Sequence, residues 1–324
     1  MTNKAITFED GKLKYLNLAA PKLQPKNVII SNKCLGVNYN DYNAIQGSDF
    51  IKINKHNILG FEGSGVIESV DKGCTKGYKV GDRVCYISFP GGAFMSKKSV
   101  PETNIFPLPR FASFEVGATL LKSLMAYTLL GKVFSIKKNA TIILTGASGG
   151  VGSFFCQIAK KAGLNVIGLT RFDDKISYIK SNGAVEAFNY NSYNVVEAIN
   201  HITNGAKADF FFDCLGADVQ NFAFDVLKDR GFFISFGNIT GMPQKINLQT
   251  QYAKSITVSS VSLNNFINTY ENLTSSSLAI FKSIQFKILK PRITSYSFND
   301  GSKAFLDLKN GSKVGQKILF YEEL

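Results

Sequence analysis

Tryptophan is absent from the 324-residue chain, histidine occurs only at positions 56 and 201, and the five cysteines at 34, 74, 85, 156 and 214 stand singly. An odd number of scattered cysteines with no C-x-x-C pair builds neither a disulfide framework nor a set of soft metal ligands, so no metal site is expected. Long apolar runs are missing as well. Nothing approaches the ~18 residues of a membrane span, and the opening MTNKAITFEDGKLKYL lacks the apolar segment of a secretory signal, which makes a cytoplasmic location the default and a membrane partner unexpected. Acidic residues are scarce, 24 against 37 Lys and Arg, for a net charge of +13. The lysines are nevertheless spread from Lys4 to Lys317, with runs no longer than pairs such as Lys97-Lys98 and Lys137-Lys138. That is the pattern of a solvated face, so a nucleic-acid partner is not expected.

What remains is a composition suited to a folded core, 45% hydrophobic with 28 glycines, in a chain long enough for about two domains at ~100–200 residues each. The first ~110 residues carry short β-rich segments at Val28 to Ile30 and Gly65 to Val70. Turn signals follow at Gly81, Pro90-Gly91-Gly92 and Pro101 through Pro109, the texture of an irregular all-β unit. A helical stretch from Glu115 to Leu130 then leads into alternating elements. Strands read at 141–145, 166–169, 187–189, 210–213, 232–236 and 256–261, and helices at 151–162, 175–181, 195–203 and 219–227. Apolar strands alternating with amphipathic helices predict a doubly wound parallel sheet, an α/β fold. After Leu263 the chain predicts a helix near 278–288 and a last strand at 316–320 that returns to the first domain. The expected division is therefore residues 1–120, completed by 263–324, around a dinucleotide-binding domain at 121–262.

The most specific local signal is the strand Thr141 to Thr145 running into Gly146-Ala-Ser148-Gly149-Gly150-Val151-Gly152 and then a helix. Glycine there lets a pyrophosphate approach the backbone while the amides and positive end of the helix face it. An NAD site places a carboxylate about 20 residues on, at the end of the second strand. This chain has Thr170 and Arg171 instead, with Lys175 one helical turn further. Cations in that place suit a 2′-phosphate, so the expected cofactor is NADPH; Asp173 and Asp174 are the alternative partners for these two cations.

Taken together, residues 36–41 (GVNYND), 59–66 (LGFEGSGV), 81–86 (GDRVCY), 147–152 (ASGGVG), 213–216 (DCLG), 235–238 (SFGN) and 315–317 (GQK) resemble the medium-chain dehydrogenase/reductase superfamily. Within it the resemblance is to the zinc-free NADPH:quinone oxidoreductases that include zeta-crystallin, and it runs nearly end to end. It implies a GroES-like catalytic domain and a Rossmann NADPH-binding domain; because an unpaired β edge seeks a partner, a homodimer through the edge strand at 256–261 is expected. Where zinc-dependent alcohol dehydrogenases of the superfamily carry a Cys and a His, this chain has Asn38 and Phe61, although Glu62 persists. The resemblance assigns Asn38 to the nicotinamide end as the candidate catalytic residue, with Asp41 behind it. It assigns cofactor contacts to Ser148, Gly149, Gly150, Val151, Thr170, Arg171, Lys175, Tyr190, Cys214, Leu215, Gly216, Phe236, Gly237, Asn238 and Lys317. Met125 and Gly311 depart from relatives that carry Thr and Arg there. Tyr42 and Tyr86, with Phe89 and Phe94, line the acceptor pocket or belong to the first domain's core; spacing does not decide between these.

The expected activity is hydride transfer from NADPH to a small-molecule electron acceptor, a quinone or an α,β-unsaturated carbonyl, without zinc. An enoyl-thioester reductase is the first alternative, because residues 43–47 (NAIQG) resemble mitochondrial examples; those carry a catalytic Tyr two residues beyond the Gly, where this chain has Asp49. A nucleotide-binding protein of the crystallin type, with little turnover and an RNA-binding surface, is the second.

Overall fold

The computed structural model describes residues 2–47, 56–192 and 194–321, so Asp49 lies outside the described residues. The chain divides into two compact units, one of Met1–Leu124, Ile267–Phe286 and Pro291–Leu324, the other of Met125–Phe266 with Lys287–Lys290.

The second unit is built on six parallel strands, in chain order Thr141–Leu144, Asn165–Thr170, Glu186–Asn189, Ala208–Asp213, Leu227–Ser235 and Thr257–Ser260. Their order in space is third, second, first, fourth, fifth, sixth. Chain direction across the sheet therefore reverses between Thr141–Leu144 and Ala208–Asp213, and a doubly wound sheet binds ligands at such a reversal. Helices Gly150–Lys161, Ile176–Ser181 and Val195–Ile202 follow the first three strands. Because successive strand residues point to opposite faces, the run Phe210-Phe211-Phe212 supplies both layers of the core. Phe211 packs against Phe222 and Phe233, while Phe212 meets Phe155, and Phe210 stacks on Phe232 with ring centroids 4.9 Å apart. A continuous apolar run is what a strand covered on both faces requires.

Two expected helices take a different form. The stretch 219–227 closes after Gln220–Ala223, because from Leu227 the chain already runs as strand and Arg230 takes a left-handed turn at φ 61°. The stretch 115–130 is two helices. Ser113 caps Phe114–Gly117 by accepting from the Val116 N–H, and a second helix begins at Leu120. A Cβ on Gly117 would sit 2.9 Å from the Ser64 side chain, so glycine there allows the first helix to pack against strand Glu62–Val70.

In the first unit, strands run in the order Ile293–Ser297, Gln316–Phe320, Asn27–Val37, Glu62–Val70, Arg83–Ile87 and Ile105–Pro107, with Lys97–Pro101 also paired to Asn27–Val37. The closing strand Gln316–Phe320 lies antiparallel to Asn27–Val37, with Lys317 opposite Val37, so the tail completes the early sheet. Helix Tyr39–Ile45 follows Asn27–Val37, and helices Tyr270–Gln285 and Gly301–Asn310 belong to the same unit. Strands Thr2–Glu9 and Lys12–Ala19 form a hairpin through Asp10-Gly11, both at positive φ, which matches the right-handed twist of paired strands.

Phe211→Ala is expected to lower the unfolding free energy of the second unit by about 3–5 kcal/mol, the usual range for deleting a buried aromatic. Denaturant titration of the variant against the parent checks this, and an unchanged midpoint would show that the phenylalanine layer does not hold the sheet together.

Candidate functional site

The glycine turn begins where the first parallel strand ends. Gly146 has φ 59°, and a Cβ there would lie 2.5 Å from the Cys214 sulfur. A Cβ on Gly152 would collide with the Gly146 carbonyl, so only glycine allows the helix to start this close to the strand. Gly149 is the N-cap of Gly150–Lys161 and supplies no side chain to the first-turn amides, with Ser148 immediately before it and Val151 in that turn. A backbone of this shape leaves the amide-rich, positive end of a twelve-residue helix open to an anion.

Across the sheet reversal, the Thr145 hydroxyl donates to Asp213 Oδ1 at 2.9 Å, and the Cys214 N–H donates back to Thr145 Oγ1 at 2.8 Å. Asp213 also accepts from the N–H groups of Leu215 and Gly216 at 2.9 and 3.0 Å. Gly216 has φ 89° and a Cβ there would collide with the Gly241 carbonyl. The loop after the fourth strand is bound to the loop after the fifth: Ile239 N–H donates to Cys214 O and Thr240 N–H to Leu215 O, while Phe236 N–H donates to Asp213 O at 2.7 Å. A Cβ on Gly237 would lie 3.0 Å from Cys214 O, and Asn238 donates to the Met242 sulfur at 3.1 Å. The structure thus brings Cys214, Leu215, Gly216, Phe236, Gly237 and Asn238 together beside Gly146. Thr145, which ties them to the first strand, is not visible as a site residue in the sequence, because a Thr closing an apolar strand reads as ordinary β structure.

At the ends of the second and third strands, Tyr190 N–H donates to Thr170 O at 2.9 Å, which sets Tyr190 beside Thr170 and Arg171. The Arg171 guanidinium and the Lys175 ammonium both lie over the Phe172 ring, at 5.1 and 3.9 Å from its centroid. Burial pushes the Lys175 pKa down, Asp174 raises it, and Arg171 lowers it again. Asp173 accepts from the Asn189 side chain at 3.1 Å. The Tyr190 hydroxyl is buried and has no hydrogen-bond partner among the described residues. A buried hydroxyl without a partner is costly, and this one lies within electrostatic reach of both Asp218 and Arg171. These residues suit the 2′-phosphate of NADPH, and the glycine turn suits its pyrophosphate.

The first unit holds the remaining candidates. Asn38 precedes helix Tyr39–Ile45, and its side-chain amide donates to Gly36 O and to Glu62 Oε1, both at 3.0 Å. Asp41 is fully buried and both its oxygens are taken, Oδ2 by the Asn38 N–H at 2.8 Å and Oδ1 by the Gly60 N–H at 2.7 Å. Burial pushes Asp41 up to about 7 against the pull of those two N–H donors. Phe61 is buried with its ring 5.9 Å from that of Phe89. An amide already donating its protons and an apolar ring do not make a zinc ligand set, and no group of three His, Cys, Asp or Glu suited to a metal occurs among the described residues. Tyr86 is buried in the sheet, donates from its hydroxyl to Asn32 Oδ1 at 3.0 Å, and packs over Gly63. Phe94 is likewise core, edge-on to Phe305. Tyr42 and Phe89 retain exposure, and Tyr42 packs edge-on to Tyr39. Lys317 belongs to this unit, buried in strand Gln316–Phe320, and donates to Lys313 O at 3.2 Å. Gly311 ends helix Gly301–Asn310 in the left-handed conformation, at φ 62°. Lys122 is a residue the sequence reading passes over. Its ammonium lies 2.7 Å from Glu62 Oε1, and the only signal for it is a lysine set inside the apolar run Leu120-Leu121-Lys122-Ser123-Leu124.

Asp41 and Asp213 are both raised by burial, to about 7 and about 6 from an ordinary 3.8. The folded protein therefore holds protons that the unfolded chain releases, and the stability this gives is lost as pH rises from about 4 toward about 7. The slope approaches about 1.4 kcal/mol per pH unit for each group. Asp71, Glu186 and Asp307 are shifted downward and act in the opposite sense, so a difference measurement is needed. Urea titrations between pH 4 and 7 should show stability falling less with pH in Asp41→Asn than in the parent. Parallel curves would remove the assignment.

Residues 24–110 match the family described as alcohol dehydrogenase GroES-like domain, and residues 150–278 match the family described as zinc-binding dehydrogenase. Quinone oxidoreductase 1 of Escherichia coli is 32% identical over 295 residues, covering 90% of this chain and 90% of that protein. The crystal structure of a quinone oxidoreductase from Pseudomonas syringae pv. Tomato DC3000 superposes with a TM-score of 0.93 at 31% identity, covering 99% and 100% of the two chains. That of Escherichia coli quinone oxidoreductase complexed with NADPH gives 0.92 at 29% identity, covering 98% and 99%. The GroES-like and parallel-sheet units, the glycine turn and this end-to-end likeness establish that the chain belongs to the quinone oxidoreductase family of the medium-chain dehydrogenases/reductases.

Proposed function

We propose that the protein is an NADPH-dependent, zinc-independent oxidoreductase that passes a hydride to a quinone. The observation that carries the cofactor choice is the pair of cations Arg171 and Lys175 over the Phe172 ring, at a strand end where an NAD site would have a carboxylate. The relative from Escherichia coli crystallised with NADPH supports the same choice. The acceptor class rests on the quinone oxidoreductases that cover nine-tenths of the chain.

NADPH supplies the hydride from its nicotinamide ring. The chain's own residues bind and orient: the amides after Gly149 hold the pyrophosphate, and Arg171, Lys175 and Tyr190 hold the 2′-phosphate. Loops 214–216 and 236–238 are held to Thr145 and to each other through Asp213 and backbone bonds, so this edge of the sheet is preorganised. Asn38 serves the nicotinamide end with its amide already fixed, and Asp41 acts behind it by fixing the Asn38 backbone. Tyr42 and Phe89 are the aromatic candidates for acceptor contact, and the proton that completes quinone reduction comes from solvent or from Tyr42. Rate enhancement in such a site is mainly orientation of two flat rings with water excluded. A homodimer joined along the edge strand Thr257–Ser260, in the cytoplasm, belongs to the same reading.

With a simple quinone as acceptor, the KM for NADPH is expected to lie at least about tenfold below that for NADH. Arg171→Ala should raise the NADPH value by about 10–100-fold while leaving NADH nearly unchanged, the size of a lost charge-assisted hydrogen bond. Equal constants for the two nucleotides would overturn the cofactor assignment, and turnover of crotonyl thioester with none of a quinone would favour the enoyl-thioester alternative.

A further inference from the structure

Glu62 opens strand Glu62–Val70 and is fully buried. Three donors converge on it. Lys122 Nζ and Asn38 Nδ2 share Oε1 at 2.7 and 3.0 Å, and the Leu121 N–H donates to Oε2 at 2.7 Å. Leu121 lies in the first turn of helix Leu120–Gly131, whose positive end favours a carboxylate. The pocket is tight on the remaining side, because a Cβ on Gly36 would collide with both the Glu62 carboxylate and the Ala118 carbonyl. Lys122 is itself buried and offsets the charge of Glu62.

A buried ion pair of this kind contributes little net stability, since well-packed apolar residues of similar volume commonly do as well or better. Its specific effect here is on Asn38. A carboxylate oxygen only accepts, so the amide must turn its nitrogen toward Glu62, and the second amide proton goes to Gly36 O at 3.0 Å. Carboxylate and ammonium together hold the amide in one orientation that an apolar pocket would leave undetermined. We infer that Lys122 is a positioning residue for hydride transfer, fixing the Asn38 amide through Glu62. This rests on the reading above that Asn38 serves the reacting end of the site.

The test is a double-mutant cycle on the full-length protein with Lys122→Met, Glu62→Gln and the pair, together with Lys122→Arg. NADPH affinity is followed by fluorescence, and kcat and KM with a simple quinone by NADPH absorbance. Lys122→Met is expected to lower kcat by about a hundredfold, the effect of misplacing a reacting group by about 1 Å, with the Kd for NADPH within about twofold of the parent. The double variant should lose no more than the worse single one, because residues acting as a unit are not additive, and Lys122→Arg should restore most of kcat. Three results would overturn the proposal: kcat of Lys122→Met within twofold of the parent, single losses that multiply in the double, or NADPH affinity falling in step with kcat. Should Lys122→Met fail to fold, Glu62→Gln decides, and full turnover by it overturns the proposal. A parent protein that oxidises no NADPH with any quinone overturns the functional reading along with it; the other results bear on Lys122 alone.

Discussion

The hydrogen bond from the Thr145 hydroxyl to the Asp213 carboxylate spans the place where the parallel sheet reverses its winding, and the second unit's cofactor site depends on it. On one side of that bond the chain turns through Gly146 into the helix at Gly150; on the other it turns through Cys214 and Gly216. Asp213 is paired by one hydroxyl and two backbone N–H groups, so its buried oxygens are satisfied and the two turns keep a fixed separation. The close approach of Gly146 to the Cys214 sulfur, which a methyl group would spoil, follows from the same tie.

Charge is distributed between the units with different purposes. In the second unit Arg171 and the buried Lys175 lie over one phenylalanine, near a tyrosine hydroxyl with no partner among the described residues. Burial lowers the pKa of Lys175 and Arg171 lowers it further, and a bound dianion would favour its charged form. In the first unit the charges are interior and mutually satisfied: Glu62 answers Lys122, and Asp41 answers two backbone donors. The one arrangement is built to receive a charged ligand, the other to keep a polar amide in place.

Much of this was legible in the sequence, for identifiable reasons. The central parallel strands, Thr141–Leu144 and Ala208–Asp213, are apolar runs alternating with helices, so the alternation could be read directly; Asn165–Thr170 and Glu186–Asn189 extend the predicted segments by one or two residues. The returning strand Gln316–Phe320 was equally plain. The first unit was harder because its main strands, Asn27–Val37 and Glu62–Val70, mix glycine and polar residues among the apolar ones. The hairpin through Asp10-Gly11 carries a recognisable turn dipeptide, but its second strand, KLKYLNLA, is mostly solvent-facing and gives a weak apolar signal. Site residues identified by backbone need, such as the glycines, could be read; those identified by a distant partner could not. Lys122 meets Glu62 across 60 positions and Thr145 meets Asp213 across 68, and no local pattern announces either contact. Tyr86 shows the converse, an aromatic whose placement as core follows only from its hydroxyl bond to Asn32.

The account turns on recognition of a phosphate at the ends of the second and third strands. Calorimetric titration with 2′,5′-ADP and with 5′-ADP, at low and at raised salt, reads that recognition without turnover, acceptor or nicotinamide. The account predicts that the 2′-phosphorylated nucleotide binds at least about tenfold more tightly and that this margin shrinks as salt screens the Arg171 and Lys175 charges. Equal affinities for the two nucleotides, unaffected by salt, would contradict it.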